Sequence, residues 1–381
     1  MNEQISISWN SVKWGCEMKS YRILMGLVVW TSGLLSGGVC RATDIKGTIS
    51  STVTLTQDSQ LVGNVTCTVA QAPCIVISAS NVTFRLNGFT ITGPADPPAN
   101  CPSPTNFFDN DGIDVIGQTH VTILGPGIIQ KFGPWGILLE SSTRVTVKHV
   151  TANRNCWSGM QLSGVSDSEF EENLWVNNAV GSGDAPCGGI CVADSNKNVI
   201  RKSKFSGNGT VNAPDDGNVD FGVGLEGASS GNRIEGNDMD GNANGVFVVD
   251  STATGNVIRH NTILGNPPAQ VRAAFPSTGP IFTSADEQGF DIQDTSAAGA
   301  NTFEDNLCLT YSGAASPAPC PNVRSEKDGE DARTWLTKPV ESPKESSAAR
   351  NAEAKPGLLI ATALLLVITL GRLSWNSTKS V

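Results

Sequence analysis

The chain has 381 residues, with 40 Gly, 39% hydrophobic residues, and 26 Lys and Arg against 36 Asp and Glu, a formal net charge of −10. Between Thr43 and Cys320 the imbalance deepens, since 13 basic less 27 acidic residues gives −14. That charge argues against a nucleic-acid partner and against unassisted binding of polyanions; neutral glycans, or anionic ones bridged by calcium, stay open.

In chain order, Met18-Lys-Ser-Tyr-Arg22, the apolar run Ile23 to Leu35 and Cys40-Arg-Ala42 have the layout of a secretory signal over 1–42, with cleavage after Ala42. The start is then Met18, or Met1 with an extended leading region. A short membrane anchor is the alternative. Removing Cys16 and Cys40 leaves Cys67, Cys74, Cys101, Cys156, Cys187, Cys191, Cys308 and Cys320, an even set suited to an oxidising compartment. Cys67 with Cys74, and Cys308 with Cys320, each close a short loop where a solenoid needs an end cap, so both are expected disulfides. The pairing of Cys101, Cys156, Cys187 and Cys191 stays open. Cys156 and Cys187 lie just ahead of Gly-led strands on successive units, so stacking can bring them within reach. Cys187-x-x-x-Cys191 has no His nearby, which disfavours zinc.

The middle of the chain repeats one phrase. It reads Gly-Ile-Asp-Val from Gly112, Gly-Ile-Leu-Leu from Gly136, Gly-Met-Gln-Leu from Gly159, Gly-Ile-Cys-Val from Gly189, Gly-Val-Gly-Leu from Gly222, Gly-Val-Phe-Val from Gly245 and Gly-Phe-Asp-Ile from Gly289. The closest copies are 23 or 24 residues apart, the mark of a unit repeated along an axis. After each comes a run such as Val121-Thr-Ile, Val145-Thr-Val, Asn198-Val-Ile or Asn256-Val-Ile, whose alternation puts one face inside. A third segment often ends in Gly-Asn, as at Gly207-Asn208, Gly241-Asn242 and Gly265-Asn266; both residue types accept the left-handed corner conformation at low cost. Three strands and three corners per turn predict an all-β fold, a right-handed single-stranded parallel β-helix over 43–320. A leucine-rich repeat would show more Leu and a helical return, and an antiparallel sandwich does not require Gly at one phase of every unit.

The Gly-Ile-x-Leu phrases, the Asn-x-Ile-x-x-Asn run from Asn256 to Asn261, and the opening Asn81-Val-Thr-Phe-Arg-Leu-Asn-Gly-Phe-Thr-Ile-Thr-Gly93 resemble the pectin-lyase-type parallel β-helix superfamily. Within it the chain is similar to the NosD-like proteins built of parallel β-helix repeats, over about Ile45 to Tyr311. The resemblance implies the fold. It does not imply one activity, because the superfamily holds polysaccharide lyases, glycoside hydrolases, uronate epimerases and adhesins. The sequence lacks the Gly-His-Gly and Arg-Ile-Lys of polygalacturonases, the Arg-x-Pro-x-x-Arg of pectate lyases and the Asp-Pro-His-Asp of alginate epimerases. His120, His149 and His260 read as surface or corner residues.

Extra residues fall at one phase. Gly93 to Asp111, Asn178 to Gly188, Asn208 to Asp220 and Asn266 to Gln288 all precede a Gly-led strand, so the insertions project from one edge. They bring Asp111, Asp215, Asp216 and Asp220, with Asp114 close by, as catalytic candidates, and Phe107 and Phe108 as sugar-stacking candidates. Trp135 and Trp157, at the same corner on coils without an insertion, are sugar-stacking candidates as well. Asp215, Asp216 and Asp220 also offer a calcium site, although such dipeptides are common turn formers. Glycoside hydrolysis needs carboxylates about 5 to 10 Å apart, a span that coils stacked at about 4.8 Å can supply. The outward columns of the Gly-led strand are expected to read Asp114, Leu138, Gln161, Cys191, Gly224, Phe247, Asp291 and Ile116, Glu140, Ser163, Ala193, Glu226, Val249, Gln293. Neither gives an acid pair, so a pair would combine Asp114 with the insertions or use Asp215, Asp216 and Asp220.

The C-terminal part changes character. Residues 321–356 are rich in Ser, Pro, Ala, Lys and Glu, the composition of a disordered linker. The apolar stretch that follows, 357–373, is expected to be a transmembrane helix with Arg372 snorkelling, and 374–381 a short tail. A clipped glycolipid-anchor or sorting signal is the alternative. The expectation is an exported protein, anchored with its β-helix in the periplasm or extracellular space, that binds or processes polysaccharide at the insertion edge. As an enzyme it would be a polysaccharide lyase or glycoside hydrolase. The alternative is a non-enzymatic surface, adhesion or structural scaffold.

Overall fold

The computed structural model describes residues 42–95, 97, 101, 110–179, 188–209, 220–266 and 289–321. Expected segments 1–42, 321–356, 357–373 and 374–381 lie outside them, Ala42 and Pro321 apart. The described chain winds into a three-faced parallel β-helix. Its first face is a sheet of ten strands taken in chain order, from Val53–Leu55 through Ile113–Ile116, Trp135–Glu140, Ser158–Ser163, Gly188–Ala193, Phe221–Glu226, Val246–Val248 and Ile292–Asp294 to Tyr311–Ser312. The second face stacks strands such as Glu169–Glu171, Val199–Arg201 and Arg233–Glu235, and the third stacks Leu174–Val176, Lys204–Ser206 and Asp238–Asp240. Longer strands, among them Thr122–Gln130 and Thr146–Asn153, run unbroken round the corner between those two faces and join them into one sheet.

Every coil sends apolar side chains inward from each face, two from most first-face strands and one from each strand of the other two faces, as period-two alternation requires. The second face contributes Phe84, Ile123, Val147, Phe170, Ile200, Ile234 and Ile258, in register and fully buried. The third contributes Ile91, Ile129, Ala152, Trp175, Phe205, Met239 and Ile263, and there Ala152 leaves room beside the bulk of Trp175. Each large apolar side chain removed from water stabilises the fold by roughly 1.5–3 kcal/mol.

The glycine phase has a steric cause. A Cβ at Gly112 would lie 2.4 Å from the carbonyl oxygen of Gly136, and the same clash repeats from Gly136 to Gly159, Gly159 to Gly189, Gly189 to Gly222 and Gly222 to Gly245. Each coil packs its backbone onto the next at this corner, where a side chain has no room. Gly289, expected to end the file, is not in it. Val246 pairs with Ile292, which puts Asp291 opposite Gly245 and moves Gln293, not Asp291, into the first outward column. The register slips by two residues because Asp291 has its own task. Its Oδ1 accepts from the Asn266 backbone N–H and side-chain amide, and its Oδ2 from the backbone N–H groups of Leu309 and Thr310.

That contact ends one of three side-chain ladders. At the corner after the third face, Asn155, Asn178, Asn208, Asn242 and Asn266 stack, and from Asn178 onward each Oδ1 accepts from both the backbone N–H and the amide of the Asn one coil before. A second ladder runs through Asn198, Asn232, Asn256 and Asn301, and a third through Ser203, Asn237, Asn261 and Asn306. Corner N–H groups, which the sheets leave over, are thereby satisfied out of water. His120, His149 and His260 sit at corners with positive φ, as surface or corner residues would.

Cys67–Cys74 and Cys308–Cys320 form the expected end disulfides. Cys156 pairs with Cys101, which corrects the expectation that stacking would offer it Cys187. Cys101 arrives from the first insertion, so a cross-link from outside the repeat takes the thiol that stacking had suggested for a neighbour. Cys187 lies outside the described residues.

Candidate functional site

All four insertions leave the same corner, each lying between a third-face strand and the next first-face strand, for example between Lys204–Ser206 and Phe221–Glu226. The surface they flank is the outer side of the first face. Phe107, Phe108, Asp215 and Asp216, and with the last two the expected calcium site, lie outside the described residues. Among the described residues no group of three or more His, Cys, Asp or Glu side chains is placed to hold a metal ion.

The remaining sequence candidates are tied into the frame. Asp111 is 1% exposed, and its Oδ1 accepts from the Trp135 backbone N–H at 3.1 Å, bracing one coil against the next. Asp114 and Asp220 are buried as well, and the Asp220 carbonyl holds both the backbone N–H and the amide of Asn244. Trp157, 3% exposed, packs edge-on against Trp135 at 5.8 Å in a cluster with Ala95, Cys156 and Ala179. Its ring buttresses the Cys101–Cys156 corner. Trp135 is half-buried.

The chemically distinctive carboxyl is Glu226, which sequence reading placed in a column and left there. Leu225 and Val223 point into the core, so Gly224 and Glu226 point out. Beside them register sets Cys191 and Ala193 on one side and Phe247 on the other, with Val249 following in chain. Gly224 has no side chain because the Phe221 ring lies across it: a Cβ there would stand 2.2 Å from that ring. Phe221 meets Phe247 edge-on at 6.4 Å, and with Cys191 and Val249 they form an apolar wall. Against this wall the half-buried Glu226 keeps its Oε1 out of water, with no hydrogen-bond partner among the described residues. Burial pushes its carboxyl up to about 7; a hydrogen bond from the Cys191 thiol pulls it down, and the charge of Asp250 adds to the rise.

Two exposed carboxylates flank it. Asp194, one coil before, accepts from the Ala228 N–H at 2.8 Å, and Asp250, one coil after, accepts from the Gly227 N–H at 2.7 Å. Gly227 has φ +57, and a Cβ on it would collide with Asp194, so a glycine here lets the two carboxylates close on the turn. Asp194 and Asp250 thus hold the turn that follows Glu226, one from the coil on either side. Sequence reading missed the trio because Asp194 and Asp250 stand beyond the strand, at the corner. The signal available was Glu226 itself, an acid following Gly-Val-Gly-Leu whose neighbours in the column are Ala193 and Val249.

A family model described as "Right handed beta helix region" matches residues 51–213 and 111–308. No curated protein matches the chain. Among solved structures, the enzymatically active domain of bacteriophage CBA120 tailspike protein 2 is similar at 13% identity and TM-score 0.43, over 69% of this chain and 42% of that one. The Dettilon tailspike protein is similar at 15% identity and TM-score 0.45, over 70% and 53%. An alginate lyase from a Paenibacillus species is similar at 13% identity and TM-score 0.37, over 69% and 98%. The chain thus spans about half the length of the two tailspike structures. At these identities and scores the likeness says nothing of substrate or chemistry.

Proposed function

The chain belongs to the right-handed β-helix family, and from that premise we propose that the outer side of its first face binds and cleaves a polysaccharide, with the insertion edge along one margin and the acids at the opposite corner. The observation that carries this reading is Glu226: a carboxyl held out of water on an outward strand position, with Asp194 and Asp250 one coil to either side. In glycoside hydrolysis Glu226 would pass its proton to the departing glycosidic oxygen, while one flanking carboxylate activates water or attacks the sugar carbon. Export and membrane anchoring, through the leading and trailing segments, belong to the same proposal and rest on sequence alone.

The test is a glycan array and a reducing-sugar assay on the full chain, with and without calcium, beside Glu226→Gln. The expected result is glycan binding in both proteins, with turnover in the variant lower by about 10²-fold or more. Binding without turnover in the wild type would favour a scaffold or adhesion role, and equal turnover in the two proteins would remove Glu226 from the chemistry.

A further inference from the structure

Charge is distributed unevenly over the three faces. Among the described residues, none of the ten strands of the first face carries a Lys, Arg or His, whereas the strands of the other two carry Arg85, Lys148, Arg201, Lys204, Arg233 and Arg259. Those cations find partners on their own faces: Lys148 pairs with Glu171, Lys204 with Asp240, and both Arg233 and Arg259 with Glu235. The outer side of the first face divides by depth. Its column nearer the insertion edge is buried at Asp114, Cys191, Phe247 and Gln293. The strip open to a ligand is therefore the other one, Ile116, Glu140, Ser163, Ala193 and Glu226 in register from coil to coil, with Val249 continuing it. The charged members of that strip are Glu140 and Glu226, and Asp194 and Asp250 stand exposed at the corner beside it. Along the opposite margin, the first three insertions hold acidic residues and no Lys or Arg, and Arg272, in the last, is the basic residue of the four. Resting on the reading of the first face given above, we propose that the glycan it takes is a polymer of neutral sugars, and that the charge of the face shuts out uronate, sulfated and phosphorylated chains.

An anionic chain laid along this strip brings its charges toward Glu140, Asp194 and Asp250, and among the described residues no cation on the face neutralises them. Like charges repel, and the apolar wall of Phe221 and Phe247 keeps out water that would weaken the repulsion. Neutral sugars meet the opposite case. Their hydroxyls donate, and an ionised carboxylate is an acceptor with room for several such bonds. Ser163 adds a hydroxyl that both gives and takes. Ile116, Ala193 and Val249 leave the rest of the strip apolar, a surface for sugar C–H groups.

The experiment sets neutral polymers, a glucan, a mannan, a galactan and a xylan, beside the carboxymethyl and hydroxyethyl derivative of each, together with polygalacturonate. Binding to the full chain is measured at low and high salt, with and without calcium. Carboxymethylation adds charge and bulk, hydroxyethylation bulk alone. The expected result is a neutral polymer whose affinity salt changes by less than about twofold and whose hydroxyethyl derivative follows it, while the carboxymethyl derivative binds about tenfold more weakly at low salt, a gap that high salt narrows. Binding of polygalacturonate or a carboxymethylated polymer as tight as that of the neutral one, with calcium or without it, overturns the proposal. So does a gap that salt leaves unchanged, or failure of every neutral polymer to bind. Glu226→Gln separates this outcome from the cleavage reading. A neutral polymer bound by both proteins and cut by neither sustains the substrate class and rejects cleavage, whereas a uronan cut by the wild type and spared by the variant rejects the substrate class and keeps Glu226 in the chemistry.

Discussion

At the scale of single residues, Glu226 couples the site to stability. Its carboxyl is raised from 4.5 in the unfolded chain to about 7 in the fold. Below pH 4.5 both states hold the proton and the contribution is fully present; as pH rises from 4.5 to about 7 the unfolded state ionises first and that stability is lost. E226Q removes the dependence. Urea curves of the two proteins should therefore diverge across that window, with the wild type losing about 1–3 kcal/mol relative to the variant. Trp175 sets a second case. Its ring is fully buried, stacked at 6.3 Å on Phe205, and its Nε1 has no partner among the described residues. An unpaired N–H in the core costs about 1–3 kcal/mol. Trp175→Phe should then destabilise by less than the loss of ring volume alone would give, and a melting curve beside Phe205→Leu would show the difference.

At the scale of the repeated element, two contacts between coils are testable separately. Gly112→Ala drives a Cβ into the carbonyl of Gly136, a backbone atom that cannot swing aside, and should cost several times the ~1 kcal/mol expected of Gly236→Ala, where the space is open. Asn242→Ala strands the Asn208 backbone N–H and amide and the Phe205 carbonyl, all buried, for a loss of about 2–4 kcal/mol in chemical denaturation. The second face adds an outward column of alternating charge, Lys148, Glu171, Arg201, Glu235 and Arg259, set side by side by the ladder register. Lys148 and Lys202 both donate to Glu171 at 2.8 Å and hold its carboxyl down at about 2. Here the sign is opposite to that of Glu226: the stabilisation is present above the unfolded value of 4.5 and disappears as pH falls from there toward 2. Glu171→Gln should flatten that acid limb in a series of pH-dependent melts.

At the scale of the whole molecule, a solenoid coil touches only its neighbours, so its ends and its one distant cross-link matter most. Cys308–Cys320 closes the last coils and Cys101–Cys156 ties the first insertion to the coil bearing Trp157. Removing either is expected to cost about 2–4 kcal/mol. Hydrogen exchange should place the effect of Cys308→Ser in the last two coils and that of Cys156→Ser around Trp135 and Trp157. The legible part of this molecule followed the same logic. Period, glycine phase and Asn corners depend on neighbouring coils alone, and sequence spacing reports them directly. The exception was the coil of Ile292–Asp294, where an Asp took the glycine position and moved the register by two.

The amino-acid sequence by itself determined the solenoid, its three faces, its two end disulfides and the edge from which the insertions leave, because each follows from periodicity or short separation. Tertiary structure alone decided which carboxyl becomes unusual. Asp111, Asp114 and Asp220 have the residue type and are buried, while the Glu226 carboxyl is raised by burial against the wall of Phe221 and Phe247, with the charge of Asp250 adding to the rise. Proton affinity depends on what surrounds a carboxyl in space, and those surroundings come from three coils whose stacking brings together positions 35 and 21 residues distant in chain.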